Sequence, residues 1–235
     1  MNAQVDQHPA FLIHSRNYSD SRTLVELLTR DHGRVSAVRR FNRKSLKHYG
    51  VQAFTPLIVS WSGKTALKTL VLVEAAAAPI TLRSDCLYCG FYLNEVIQRC
   101  LPQDDPCEAV YDLYHRTLQA IASSGNDRPL LEACLREFEL ELLEALGFGI
   151  DFYSDVSGAE ITEGAYYRFV EGEGFHTVME SNPRAANIFP AAALRAIREH
   201  HFNRETLPYA KRLCRQAMTP LLGSRPLKSR ELFVK

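Results

Sequence analysis

The sequence lacks the patterns that direct a chain into or across a membrane. No run of apolar residues approaches the ~18–20 that are needed to span a bilayer. The first ten residues (MNAQVDQHPA) are polar and have no apolar centre of the kind found in signal peptides, so we expect a frayed N-terminal tail and a cytoplasmic protein. The hydrophobic content of 46% over 235 residues is enough for a substantial core, in one large domain or two smaller ones.

Paired cysteines are also scarce. Of the six cysteines, only Cys86 and Cys89 form a C-x-x-C pair, and this pair lies in an apolar run that predicts a helix. A structural zinc site usually needs two such pairs to supply four ligands. We therefore expect buried free thiols, with neither a metal ion nor a disulfide.

The motifs of the common catalytic and nucleotide-binding sites are absent as well. The chain contains no P-loop, G-x-G-x-x-G, G-x-S-x-G or H-E-x-x-H pattern. His200 and His201 are neighbours near a predicted helix end, where two metal ligands would point in different directions. Glu137, Glu141 and Glu144 share one face of a predicted helix, which is more typical of a solvated surface than of an acid–base pair. We therefore expect that the protein is not an enzyme and that it binds no cofactor.

The charges, by contrast, are numerous and are sorted by region, although the formal net charge is only +1. Residues 101–175 hold sixteen Asp/Glu and four Lys/Arg, a net of −12, whereas the other residues hold 24 Lys/Arg and 11 Asp/Glu, a net of +13. The densest basic stretch runs from Arg30 to Lys47, where seven basic residues accompany a single acidic one, Asp31. Such a surface attracts polyanions through counterion release, so nucleic acid is the first partner to consider. A solvated charged loop is the alternative.

Aromatic residues are interleaved with this basic stretch. Phe41 lies within it, Tyr49 follows it, and Tyr18 lies in an earlier predicted turn, whereas Phe54 and Trp61 are expected in the core. Basic side chains can neutralise phosphates while aromatic rings stack on bases without reading their sequence. The candidate DNA-binding residues are Arg34, Arg39, Arg40, Arg43, Lys44, Lys47, Tyr18 and Phe41.

The first third of the sequence predicts five short strands, in residues 10–16, 23–28, 33–40, 55–61 and 66–75. Turn-forming stretches such as NYSDS and SGK separate them. Five strands in about 80 residues, with a longer link between the third and fourth, fit a small closed barrel of the oligonucleotide-binding (OB) type. The periodicity also allows a sandwich fragment or another small barrel.

From residue 81 onward the apolar residues recur at helical spacing. Three helices are predicted up to Gly147 and two more near residues 191–201 and 207–223, with a loop-rich insert and one hairpin at about 151–190. The predicted fold class is therefore α+β. We expect a five-stranded OB β-barrel domain in residues 1–80, followed by an α-helical domain in residues 81–235.

Several segments resemble the bacterial DNA repair and recombination mediator family RecO. They come in the family's order and span nearly the whole chain, and the F-E-x-x-L-L-x-x-L-G-F and PLKSRELF pieces are the most specific. The segments are HSRNYSDSRTLVELLTRDHGRV (14–35), QAFTPL (52–57), GFYLNEV (90–96), LREFELELLEALGFG (135–149) and GSRPLKSRELF (223–233).

The resemblance implies an OB barrel followed by a helical domain, and a monomer that catalyses no covalent chemistry. It implies that the protein binds single- and double-stranded DNA, anneals complementary strands and helps load recombinase onto coated single strands. The implied partners are RecR, RecF and the acidic, Phe-ended C-terminal tail of single-strand DNA-binding protein. Arg136 stands at the position that matches the family's tail-binding arginine; an ion pair with Glu132 or Glu139 is the alternative.

Two features depart from the family's pattern. Some members carry two cysteine pairs that hold zinc after the L-G-F segment, whereas residues 149–169 contain no cysteine here, so we predict no zinc. The family often has a Gly-containing basic loop after the third strand, and this chain has Phe41 where glycine is usual. Phosphate binding would therefore depend on charge density rather than on a motif.

Two other classes of function stay open at this point. One is a protein adaptor whose basic face binds an acidic protein and not DNA. The other is an RNA-binding barrel, which would distinguish RNA by its 2′-hydroxyl groups. The C-terminal basic residues either extend the basic surface or, within PLKSRELF, tie the C-terminus back to the body of the protein.

Overall fold

The structure, a computed structural model, describes residues 4–19, 22–40, 52–179, 185 and 187–233. These residues form two compact units. The first comprises the described residues of Met1–Asn126 and Pro226–Lys235, and the second those of Asp127–Arg225. Among the described residues, none of the helices is both long enough and apolar enough to cross a membrane.

Five strands close into a barrel in the first unit. They are β1 (Gln4–Ser19), β2 (Arg22–Thr29), β3 (Gly33–Arg40), β4 (Leu57–Ser62) and β5 (Leu67–Ala75). The order around the barrel is β1-β2-β3-β5-β4, and antiparallel pairing of β1 with β4 closes it, while β3 and β5 pair in parallel. The predicted barrel followed by helices, an α+β fold of the OB type, is confirmed. The prediction of a frayed tail is wrong for residues 4–10, which begin β1 and pair with β4.

Alternation of apolar and polar residues along these strands produces the barrel core. In β2 and β3 the fully or almost fully buried side chains Val25, Leu27, Val35 and Ala37 occupy every second position. Trp61 of β4 belongs to the same core and is only 3% exposed. The interior of the barrel is therefore filled by side chains, and any ligand has to bind at its outside or at its ends.

Two helices belong to the same compact unit as the barrel, α1 (Asp85–Cys100) and α2 (Glu108–Ser123). The buried hydroxyl of Tyr114 in α2 donates a hydrogen bond to Asn94 Oδ1 in α1 at 2.6 Å. The C-x-x-C cysteines, Cys86 and Cys89, are buried free thiols in α1. No group of three or more His, Cys, Asp or Glu among the described residues is arranged to hold a metal ion. Division of the chain into domains at residue 80 stays a prediction.

The linker between α1 and α2 lies against the barrel. Gln103 pairs with Arg34 of β3 in an isolated bridge, and the amide of Asp104 donates to the Arg34 carbonyl at 2.9 Å. Gly33, at the start of β3, has φ +63°, and a Cβ atom at this position would lie 1.8 Å from the carbonyl oxygen of Asp105. Only glycine allows both this backbone conformation and this close approach.

The C-terminal segment returns to the first unit as a 3₁₀ helix, Lys228–Phe233. The sequence patterns did not predict this helix. Ser229 is buried against α1, and the ring of Phe233 packs edge-on against that of Tyr88, with the ring centres 5.9 Å apart. The PLKSRELF segment thus ties the C-terminus to the helix that follows the barrel.

The second unit combines a small sheet with helices. Its strands are β6 (Tyr166–Val170), β7 (Gly174–Val178) and β8 (Ile188–Pro190), in the order β7-β6-β8, and its helices are α3 (Arg128–Ala145), α4 (Ala191–Arg198), α5 (Leu207–Ala217) and α6 (Thr219–Leu222). The predicted hairpin corresponds to β6 and β7, whereas β8 was not predicted. The side chain of Asp127 caps α3 by accepting a hydrogen bond from the Leu130 amide.

Candidate nucleic-acid interface

The end of the barrel where β1 finishes, β2 begins and β3 finishes collects basic side chains. In the strand register Arg22 lies directly opposite Arg40, and the adjacent row joins Asn17, Thr23 and Arg39. Residues opposite each other in an antiparallel pair have Cα atoms about 4.5–5.5 Å apart. The register therefore brings together arginines that are far apart in the sequence.

Arg16 extends this cluster on β1. It pairs with Leu24, which in turn pairs with Val38 of β3, so Arg16 lies in the row next to that of Arg39. The side chains of Arg16 and Arg22 are exposed. Neither residue was a sequence-predicted site residue, because each is a single arginine in a different strand. Only the pairing of β1 with β2 reveals that they belong to the basic end of the barrel, a name we use for Arg16, Arg22, Arg39 and Arg40.

Tyr18 stands beside the basic end. It lies between Asn17 and Ser19, where the register of β1 against β2 shifts, and its side chain is 53% exposed. Such irregularities in a ladder re-aim side chains at sheet edges. The ring is exposed to solvent, in contrast to the rings of Phe54 and Trp61, which are 5% and 3% exposed and belong to the core as expected.

Half of the predicted DNA-binding residues follow β3, and all four of these lie outside the described residues. Phe41, Arg43, Lys44 and Lys47 belong to residues 41–51, of which no structure is described. The backbone of Arg40 is part of β3, but its side chain is likewise not described. Arg40 is the last described residue before this segment.

Arg34, also a predicted DNA-binding residue, is occupied by other parts of the protein. Its Nη1 lies 2.7 Å from Oε2 of Glu26, and its Nε donates to the carbonyl of Leu101 at 2.9 Å. Its side chain is only 15% exposed. The guanidinium is neutralised by a carboxylate and joins the barrel to the end of α1, so we leave Arg34 out of the interface.

Arg136, the predicted tail-binding residue, is buried in the second unit. Its side chain is 6% exposed, and its Nη2 lies 2.6 Å from Oε1 of Glu139, one turn further along α3. Glu132, the other predicted ion-pair partner, instead lies 2.8 Å from Nζ of Lys211. A carboxylate from a partner would have to compete with Glu139 for the guanidinium, so tail binding at Arg136 stays a prediction.

The environment of Arg136 also includes the thiol of Cys214 on α5. Burial raises the pKa of Cys214 well above its ordinary value, and the nearby Glu139 carboxylate raises it further while Arg136 acts in the opposite direction. The thiol is therefore protonated and unreactive at neutral pH.

Comparison with known proteins agrees with the fold on both parts of the chain. Residues 1–78 match the family model "Recombination protein O N terminal" and residues 84–231 match "Recombination protein O C terminal". A DNA repair protein RecO from Pseudoalteromonas translucida (strain TAC 125) is 39% identical over 231 residues, 97% of each chain. The protein of the same name from Coxiella burnetii (strain CbuG_Q212) is 39% identical over 99% of this chain and 100% of its own. The one from Glaesserella parasuis serovar 5 (strain SH0165) is 40% identical over 95% of this chain and 92% of its own. The chain therefore belongs to the RecO family of DNA repair and recombination proteins.

Proposed function

We propose that this protein binds DNA at the basic end of its barrel, and that the segment 41–51 contributes to the same interface. Arg16, Arg22, Arg39 and Arg40 would neutralise phosphates, together with Arg43, Lys44 and Lys47. Tyr18 and Phe41 would stack on bases. The observation that carries the proposal is the register that sets Arg22 opposite Arg40 beside the exposed ring of Tyr18.

The arrangement of like charges supports an anionic ligand. Like charges at directly opposite positions of a sheet destabilise the pair. The register places Arg22 opposite Arg40, and Arg39 lies in the adjacent row, which belongs to the other face of the sheet. A bound phosphate backbone would neutralise this repulsion and would also release its own counterions. Both effects favour binding.

Contacts to phosphates and ring faces do not read the sequence of bases. Two strands held in this way would keep their base edges free to pair, which favours annealing of complementary strands. We infer that the protein binds both single- and double-stranded DNA, anneals strands and helps recombinase to load onto strands coated by single-strand DNA-binding protein. Membership of the family supports RecR, RecF and the C-terminal tail of the coating protein as partners, and DNA binding would place the protein at the nucleoid.

The proposal is tested by the salt dependence of binding to a labelled single strand, followed by fluorescence anisotropy. Each phosphate contact contributes about −0.7 to the slope of log K against log salt on a single strand. The double variant Arg16→Ala/Arg22→Ala should therefore flatten the slope by about 1.4. Both residues are exposed, so the change should leave the fold intact.

A matched control has the same net charge but leaves the basic end intact. Lys64 lies in the turn after β4, whose last residue, Ser62, pairs with Gln4 at the opposite end of β1, and Arg204 is an exposed residue of the second unit. Lys64→Ala/Arg204→Ala should leave the slope unchanged. An equal effect of the two double variants would overturn the proposed location.

The other two functional classes give different results in the same assay. Absence of binding even at low salt would overturn DNA binding and favour the protein adaptor. Tighter binding to an RNA strand of the same sequence would favour the RNA-binding barrel, because only contacts with the 2′-hydroxyl group separate the two nucleic acids.

A further inference from the structure

At the other end of the barrel, two histidines pack against the only tryptophan of the chain. The rings of His8 in β1 and His32, in the turn between β2 and β3, have their centres 4.6 Å apart in an edge-to-face arrangement. The centre of the Trp61 ring lies 5.2 Å from that of His32 and 6.0 Å from that of His8. His32 and Trp61 also line a cavity of about 270 Å³ that Lys68 and Asp104 border.

The charges around the two rings come from three elements: the β2–β3 turn, β5 and the linker between α1 and α2. His8 Nδ1 lies 3.2 Å from Oδ2 of Asp31, which belongs to the same turn as His32. Lys68 of β5 lies 3.3 Å from Oδ2 of Asp104, in the linker between α1 and α2, and β4 contributes only the uncharged ring of Trp61. The carboxylates of Asp31 and Asp104 can neutralise the charges of Lys68 and one imidazolium ion. A second imidazolium ion would lie within 5 Å of the first and would exceed that balance.

The protonation of His32 is opposed by its surroundings. Partial burial lowers the pKa of His32 below 6.5, the charge of His8 lowers it further, and Asp31 and Asp104 act in the opposite direction without outweighing these effects. The ring of His32 is therefore neutral at pH 7. Because the two ring centres are only 4.6 Å apart, a charge on His8 opposes protonation of His32.

The turn that carries His32 is also where the linker between α1 and α2 rests on the barrel. Gly33 follows His32 directly and is in close contact with the backbone of Asp105. The Asp104 amide donates to the Arg34 carbonyl at 2.9 Å. A force that separates His32 from His8 therefore acts on the contact between the turn and the linker.

We propose that the His8–His32 pair is an acid-sensitive latch between the β2–β3 turn and the α1–α2 linker, closed while at least one ring is neutral and opened when both are protonated. The latch lies at the end of the barrel opposite to the basic end and does not depend on DNA binding. Opening would loosen the linker from β3 and change the surroundings of Trp61.

Trp61 provides the test, because it is the single tryptophan and a protonated imidazole quenches indole fluorescence more strongly than a neutral one. Fluorescence titration of the full chain from pH 8 to pH 4.5 should show a transition with its midpoint below 6.5. In His8→Gln the repulsion is removed, so the midpoint should move to higher pH. In His32→Gln this transition should be lost, and His201→Gln, an exposed histidine of the second unit, should behave as wild type.

Hydrogen exchange at pH 7.5 and pH 5.0, corrected for the intrinsic rates, tests the mechanical step. The amides of the linker at residues 101–107 should be less protected at pH 5.0 in the wild type but equally protected at both pH values in His8→Gln. The latch would be overturned if the fluorescence of the wild type did not change with pH, or if the midpoint in His8→Gln were equal to or lower than that of the wild type. It would also be overturned if the exchange rates of the linker amides in the wild type did not depend on pH. If His32→Gln does not fold, the direction of the shift in His8→Gln decides alone.

Discussion

Ser229 near the C-terminus is held by Glu95 of α1, which lies 134 residues earlier in the chain. The Glu95 carboxylate accepts hydrogen bonds from the Ser229 amide at 2.8 Å and from its hydroxyl at 2.7 Å, and a third from the Lys228 amide at 3.0 Å. Arg99 completes the arrangement by pairing with Glu95 at 3.1 Å and donating to the Pro226 carbonyl at 2.8 Å. A single carboxylate thus anchors the terminal segment to the first unit.

Replacing either member of this contact should loosen the terminal segment. Ser229→Ala removes one hydrogen bond to a charged group and should lower the free energy of unfolding by about 1.5 kcal/mol, and Glu95→Gln, which weakens several, by about 2–3 kcal/mol. Urea denaturation measures both. Ser224→Ala is the control, because Ser224 is exposed and lies outside the anchored segment, and an equal effect of the two serine variants would contradict the role of Glu95.

The same carboxylate gives the fold an acid-sensitive contact. Burial raises the pKa of Glu95, but the hydrogen bonds from Ser229 and Lys228 and the charge of Arg99 outweigh it and lower the pKa below 4.5. A lowered pKa contributes stability above the unfolded value, and this contribution is lost as the pH falls from 4.5 through the folded value. The stability difference between wild type and Glu95→Gln should therefore shrink below pH 4.5, as measured by urea denaturation at pH 7 and pH 3.5.

Gly33→Ala should destabilise the first unit more than the replacement of a glycine that has the same backbone angle but no close neighbour. The left-handed conformation of Gly33 costs an alanine about 1–2 kcal/mol, and the new Cβ atom would also displace the Asp105 carbonyl, 1.8 Å away. Gly125 is a matched control in the same unit, since its φ is +62° and nothing lies within 4 Å of its Cβ position. Thermal unfolding should show a larger decrease in Tm for Gly33→Ala than for Gly125→Ala. Similar decreases would indicate that the linker moves away from the new Cβ atom at little cost.

Removing either partner of the buried pair Arg136–Glu139 should destabilise the second unit. Arg136→Ala removes the guanidinium that pairs with the carboxylate of Glu139, whose side chain is 2% exposed, and such changes cost about 3–5 kcal/mol. The double variant Arg136→Met/Glu139→Leu removes both charges and should recover most of that loss. Arg204→Ala, at an exposed position of the same unit, should change the unfolding free energy by less than about 0.5 kcal/mol.

This result bears directly on tests of tail binding. Loss of binding in Arg136→Ala would not separate a contact with the tail from loss of the fold. The double variant separates them, because it keeps the unit folded but lacks the guanidinium. A folded double variant that still binds an acidic, Phe-ended peptide with wild-type affinity would contradict a role of Arg136 in tail binding.

Asp155 in the loop before β6 should titrate at unusually low pH. Hydrogen bonds from the hydroxyls of Ser157 at 2.6 Å and Thr177 at 2.7 Å, with further bonds from backbone amides, lower the pKa of Asp155 to about 2. The contribution of Asp155 to the free energy of unfolding is present above pH 3.8 and is lost between pH 3.8 and about 2. Carboxyl chemical shifts measured by NMR give this pKa directly, and Thr177→Val should raise it. A pKa that is unchanged in Thr177→Val would contradict the role of the Thr177 hydroxyl.

Much of the fold follows from local patterns. The alternation of Val25, Leu27, Val35 and Ala37 predicts strands at the right places, and the three- to four-residue spacing after residue 81 predicts α1, α2 and α3 within a few residues. The elements that were missed, β8 and the C-terminal 3₁₀ helix, are only three and six residues long. Segments of this length carry too few repeats to show a period, and they form because another part of the chain binds them.

The sequence by itself determined a barrel followed by helices, a family, and a concentration of basic charge between Arg30 and Lys47, because periodicity and charge density are properties of neighbouring residues. Only the tertiary structure decided which charges are available. Pairing of β1 with β2 added Arg16 and Arg22 to the basic end, while Glu26 neutralised Arg34 and Glu139 paired with the buried Arg136. A charge attracts a ligand only where no partner of opposite charge already holds it, and such partners come from strand register and helix packing.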